Sequence, residues 1–147
     1  MKLKIDHIGY VVKDIKKSQQ YFKKIYNFSK ITNFIFEKAH NVNITFLDLG
    51  NNTVPALELI EPTSKKSKVF NFLKQNGESL HHLAYEVEDI EKAIKHFTNN
   101  EFLQISPVVP GAGHNRINTV WLIGQKKELI ELVQKQRLKK NKSRFSI

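Results

Sequence analysis

Asp6-His7-Ile8-Gly9-Tyr10-Val11-Val12-Lys13-Asp14-Ile15-Lys16-Lys17 recurs in the second half of the chain as His81-His82-Leu83-Ala84-Tyr85-Glu86-Val87-Glu88-Asp89-Ile90-Glu91-Lys92. His, Tyr, Val, Asp, Ile and Lys coincide at matching places, and Phe22 answers to Phe97. The halves also end alike, on Leu57-Glu58-Leu59 and Ile130-Glu131-Leu132. Two copies of one supersecondary unit are too few for a solenoid. They describe a duplicated module.

Within each copy the period of the apolar residues changes. Ile5 to Val12 is rich in β-branched residues and alternates as a half-buried strand does. Asp14 then stands where an N-cap belongs, and Ile15, Gln19, Phe22 and Tyr26 follow at helical spacing. Asp89 repeats the cap before Ile90, Ala93, Ile94 and Phe97. Strand-like runs come next: Ile31–Glu37, Asn43–Leu49 and Ala56–Glu61 in the first half. In the second they are Leu103–Val108, Ile117–Ile123 and Glu128–Gln134. Each module reads β-α-β-β-β. Val69, Phe70, Phe72 and Leu73 mark a short helix over Ser67–Gln75, closed by the turn-forming Asn76-Gly77. The expected fold is α+β, with two tandem βαβββ modules (about 3–62 and 80–134) joined by a linker helix (about 63–79). The modules form a cupped, partly open β-barrel, and residues 135–147 form a flexible basic tail.

Of 147 residues, 40% are hydrophobic, including 10 Phe, enough for a packed core in one domain. The absence of cysteine excludes disulfide scaffolds, thiolate metal sites and thiol nucleophiles. Any metal must therefore be held by His, Asp or Glu. No apolar run approaches the ~18 residues that cross a bilayer, and no targeting signal stands out, so a cytoplasmic protein is expected. The net charge of +10 is unevenly placed. Lys135, Arg137, Lys139, Lys140, Lys142 and Arg144 crowd the tail, leaving 18 of the 24 basic residues against all 14 acidic ones in the body. That distribution makes nucleic acid an unexpected main partner and a solvated tail the better reading. Truncation after Gln134 is expected to leave the fold intact.

Alternation sorts the polar strand residues. His7 shares a strand face with Ile5, Gly9 and Val11, while Ile8, Tyr10 and Val12 face the helix. His82 likewise shares its face with the small Ala84, away from Leu83, Tyr85 and Val87. Glu58 and Glu131 stand in the last strand of each module among apolar neighbours. A single strand His is most often a hydrogen-bonded structural residue, and a single Glu often faces water. Four such residues in repeat-related places would instead converge on a pseudo-twofold axis. A His₂Glu₂ set suits one divalent metal ion such as zinc, cobalt, nickel, manganese or iron.

These residues resemble the vicinal oxygen chelate superfamily of glyoxalases, extradiol dioxygenases and bleomycin-resistance proteins, and most closely its methylmalonyl-CoA epimerase branch. The most specific stretches are Asp6-His7-Ile8-Gly9, Leu57-Glu58-Leu59-Ile60-Glu61-Pro62, Leu80 to Val87 and Ile130-Glu131-Leu132-Val133. The resemblance implies paired βαβββ modules, metal ligands His7, Glu58, His82 and Glu131, and His81 as a non-ligand neighbour. It also implies an isomerase or lyase moving a proton α to a carbonyl through a metal-stabilised enolate, with Glu131 as a proton-transferring carboxylate. A homodimer and a small-molecule substrate, an acyl-CoA or other carboxylate, are the implied partners. His114 and Arg116 are candidates to hold CoA phosphates; a plain loop is the equal alternative for that segment.

Two departures bear on the reaction. Where the epimerases carry Glu-Gln-Gly-Val before the third strand, this chain has Ala39-His40-Asn41-Val42, so the second acid/base is missing. Glu37 and His40 are the nearest substitutes: Glu37 in a regular strand, His40 in a loop. The epimerases' Phe-Leu-His-Pro-Lys run is replaced by Val120-Trp121-Leu122-Ile123-Gly124. Weak or absent activity on methylmalonyl-CoA is therefore expected, with the same chemistry on a related acid. A lactoylglutathione-lyase-like isomerase uses the same ligand types, and a non-catalytic small-molecule-binding member is the non-enzyme alternative. A three-ligand dioxygenase fits the four positions poorly.

Overall fold

A computed structural model describes residues 1–28, 30–48, 55–114 and 117–135 as a mixed α+β fold. The first module comprises β1 (Lys4–Val11), α1 (Ile15–Tyr26), β2 (Lys30–Ile31), β3 (Ile35–Glu37), β4 (Val42–Asp48) and β5 (Ala56–Pro62). Helix α2 (Lys68–Asn76) follows. The second module comprises β6 (Ser79–Val87), α3 (Ile90–Asn99), β7 (Leu103–Gln104), β8 (Val109–Pro110), β9 (Asn118–Ile123) and β10 (Leu129–Gln134). No helix among the described residues is long and apolar enough to cross a membrane.

The second strand of each module is broken, which corrects the continuous runs expected over 31–37 and 103–108. Short β2 and β3 both pair antiparallel with β4, and β7 and β8 both pair with β9. One mechanism serves both breaks. The Thr32 N–H donates to Phe46 O at 3.0 Å, while the Phe46 N–H is accepted by the Thr32 hydroxyl at 2.9 Å instead of a carbonyl. In the second module Ile105 N–H donates to Trp121 O at 2.9 Å, and the Ser106 hydroxyl accepts the Trp121 N–H at 2.9 Å. A hydroxyl standing in for the backbone lets the strand bulge and still satisfies its partner. Pro107, which has no N–H to pair, follows at once.

The helices are held at their first turns from two directions. Asp14 and Asp89 cap them, accepting the N–H of Lys17 and of Lys92 at 3.0 Å each. The residue three beyond each strand glutamate also reaches back. Glu61 accepts the Ile15 N–H at 3.3 Å, and Gln134 Oε1 accepts the Ile90 N–H at 2.9 Å while its amide donates to Glu88 O. The last strand and the helix of each module are thus tied directly. Gln134→Ala is expected to cost about 1–1.5 kcal/mol, a fall of roughly 3–6 °C in Tm by calorimetry. An unchanged Tm would show the tie to be idle.

The described chain forms two compact units. One runs from Ile8 to His81, with strands ordered β2-β4-β5-β1. Its core packs Val12, Ile15, Leu47 and Leu59 with Tyr10, Phe22 and Ile31. The other joins Met1–His7 to the described residues 82–135, with strands ordered β6-β10-β9-β7. There Val87, Ile90, Ala93, Val120, Leu122, Ile130 and Leu132 pack with Tyr85 and Phe97. Tyr10 and Tyr85 lie on the helix side, as alternation requires. Lys135 continues the β6–β10 ladder, its N–H on Val87 O at 2.7 Å and its ammonium on Glu88 at 2.9 Å. The rest of the basic tail lies outside the described residues.

Candidate metal centre

In the unit that contains both histidines, β10 runs parallel to β6 and antiparallel to β9. The register sets Glu131 opposite Ala84 on one side and Trp121 on the other. Ile130, Leu132, Val120 and Leu122 belong to the core under α3. Glu131, Ala84 and Trp121 therefore form a row on the opposite face, and His82 lies on that face two residues from Ala84. The His82 ring meets the Trp121 indole edge to face at 4.6 Å.

His7 completes the cluster. Its Nε2 lies 3.1 Å from His82 Nε2 and 3.3 Å from Glu131 Oε2. All three residues are buried, and so is Asp6, whose Oδ2 lies 3.0 Å from His7 Nδ1. Two imidazole nitrogens and a carboxylate oxygen thus converge with little water around them. Donor atoms each about 2.1 Å from one ion, at bond angles between octahedral and tetrahedral, lie roughly 3.0–3.4 Å apart. The separations from His7 Nε2 to the other two donor atoms fall inside that interval, so these donors fit a divalent cation.

Glu58 holds the corresponding place in the other unit. It is buried on β5 opposite Phe46, as Glu131 stands opposite Trp121. Leu57 and Leu59 pack toward α1, so Glu58 points to the other face. His81 packs edge to face on Phe72 at 4.7 Å, and burial pushes its imidazole down to about 4, leaving it neutral near pH 7.

β3 ends at Glu37, and His40 falls in the turn that follows, closed by Asn41 at φ 53°. His40 Nδ1 lies 3.1 Å from Glu37 Oε2, so the two candidate proton donors form one pair. His114 ends a single 3₁₀ turn, Ala112–His114; its side chain and the whole of Arg116 lie outside the described residues.

Two residues at the centre had no role in the sequence reading. Asp6 alternates to the other strand face, and only its hydrogen bond reveals it. Trp121 enters through cross-strand register, which no periodicity encodes; its being the single Trp was the available signal.

Residues 6–119 match the family model described as the glyoxalase/bleomycin resistance protein/dioxygenase superfamily, and the chain belongs to that family. It is 25% identical over 114 residues to mitochondrial methylmalonyl-CoA epimerase of Homo sapiens, covering 77% of this chain and 62% of that protein. The chain thus spans about three-fifths of that relative's length. A hypothetical protein from Bacillus halodurans C-125 superposes with a TM-score of 0.83 at 28% identity, covering 96% of this chain and all of that one. Methylmalonyl-CoA epimerase from Mycobacterium tuberculosis superposes at 0.79 with 16% identity, covering 90% and 87%. That last likeness concerns the fold alone.

Proposed function

We propose that this chain is a metal-dependent epimerase-like isomerase that moves the proton α to the carbonyl of an acyl-CoA or related carboxylic acid. The convergence of His7 Nε2, His82 Nε2 and Glu131 Oε2 within 3.1–3.3 Å carries the reading. Its likeness to methylmalonyl-CoA epimerases supplies the substrate class. His7, His82 and Glu131 are the residues proposed to hold one divalent ion, with Glu58, the repeat counterpart of Glu131, as the further candidate ligand. A bound ion of this kind polarises a carbonyl oxygen and acidifies the neighbouring C–H.

The protein groups do the rest. Glu131 accepts the α-proton, since its oxygen lies at the cluster and it is flanked by small Ala84, which leaves room for substrate. Trp121 stands opposite Glu131 on the neighbouring strand and packs against the His82 ring. Return of a proton to the opposite face needs a second donor, which Ala39 cannot supply. The Glu37–His40 pair is the nearest group in sequence able to do so, with Glu37 orienting the imidazole. His114 and Arg116 remain the residues proposed for CoA phosphates.

Two measurements on the full chain test this. Adding Co²⁺ to metal-free protein is expected to quench the emission of Trp121, with an endpoint at one ion per chain. Incubating the loaded protein in deuterated water with methylmalonyl-CoA and related acyl-CoA acids is expected to show α-proton exchange. For methylmalonyl-CoA epimers the expected kcat/KM is below about 10⁴ M⁻¹s⁻¹, the low end of ordinary enzymes. Exchange with none of these acids would overturn the reaction, and no metal-dependent quenching would overturn the centre.

A further inference from the structure

We propose that the second module binds the alkyl substituent on the reacting carbon, and that this substituent is longer than the methyl group of methylmalonyl-CoA. The inference rests on the acyl-CoA reading above and deepens it by naming the substituent that the site accepts. Cross-strand register carries it. Leu103 pairs with Ile123 and Gln104 with Leu122, and the ladder continues through the Ile105 N–H on Trp121 O at 2.9 Å. On the other side of β9, Ile123 pairs with Leu129 and Trp121 with Glu131. Partners across a ladder share a face. Two adjacent rows therefore stand on the face turned away from α3: Ile105–Trp121–Glu131 and Leu103–Ile123–Leu129.

The second row is wholly apolar, yet open. Leu103 is 69% and Ile105 48% exposed, while Ile123 and Leu129 are half-buried. Single exposed apolar side chains are ordinary, but a contiguous strip beside a buried polar cluster marks a binding surface. The duplication does not require it. Two residues beyond Phe46 and two before Glu58, the places of Ile123 and Leu129, the first module has Asp48 and Ala56. Phe46 itself, in the place of Trp121, is only 1% exposed. Successive rows on one face lie two residues apart along the strand, roughly 7 Å. A methyl group on a carbon held at Glu131 does not span that distance. A chain of several carbons does, and its path passes the Trp121 indole.

Trp121 is the single tryptophan, so its emission reports on ligands at this strip. Metal-free full-length protein is titrated with propionyl-, butyryl- and hexanoyl-CoA, whose α-carbons bear progressively longer alkyl groups. Each added methylene is expected to tighten binding about two- to fourfold, so that hexanoyl-CoA binds about tenfold or more tighter than propionyl-CoA. The double variant Leu103→Ser/Ile105→Ser is expected to bring that ratio below about threefold, with Tm within about 3 °C of the parent because both side chains are exposed. No binding, a flat series in the parent chain, or a slope that the double variant keeps would overturn the proposal. If the variant keeps the slope and instead dissociates in sedimentation, the strip belongs to a contact between copies of the chain. Neither metal nor turnover enters the titration. A flat series beside α-proton exchange with methylmalonyl-CoA removes the strip and leaves the reaction; a steep series without exchange removes the reaction and leaves the strip.

Discussion

Glu131→Gln is expected to slow α-proton exchange at least 10³-fold while leaving the fold in place. The amide keeps the shape of the side chain in its slot between Ala84 and Trp121, but it has no basic oxygen to take a proton. Positioned acid–base groups are worth about 10²–10⁴ in rate, and this one is also proposed to touch the ion, so the upper half of that range applies. The exchange assay in deuterated water measures it, with thermal melting as the control. Retention of more than a tenth of the parental rate would move the proton-transfer role elsewhere.

Leu132→Ala is expected to do the reverse. Leu132 has no exposed surface and packs with Val87, Ile90, Val120 and Leu122 under α3. Truncating such a side chain removes its transfer free energy and leaves a cavity, about 3–4 kcal/mol together. Domains of this kind are held by only about 5–15 kcal/mol, so the loss is a large part of the whole. A fall in Tm on the order of 10 °C follows. A shift below about 3 °C would mean that the core collapses around the gap. Adjacent residues on β10 thus separate chemistry from stability, because a strand sends them to opposite faces.

That same alternation explains how much of the candidate site is legible in the sequence. The repeat placed His7 with His82 and Glu58 with Glu131, and parity turned each away from the helix side. Periodicity also fixed α1, α3 and the last strands to within a residue or two. It missed the breaks at Thr32 and Ser106, because side-chain hydroxyls there replace backbone partners without changing the apolar pattern. Parity set Asp6 aside, since a strand neighbour of a ligand is expected on the wrong face; a short side chain can still reach the adjacent ring. The pairing of Glu37 with His40 depends on a turn one residue beyond the end of β3, below the precision of strand boundaries read from sequence.

The chain leaves one compact unit after His7 and re-enters it at His82. The contact between these rings therefore closes a loop whose ends are 75 positions apart. Bringing such distant ends together costs on the order of 4 kcal/mol of chain entropy before any local contact forms. The seven leading residues cannot reach their place until the second module has been synthesised, which makes their docking a late event in folding. An ion shared by the two imidazoles, as proposed, would act on this step as a removable clasp. The melting temperature should rise with free metal concentration, and the amino-terminal strand should be the first part to exchange its amide protons when the ion is withdrawn.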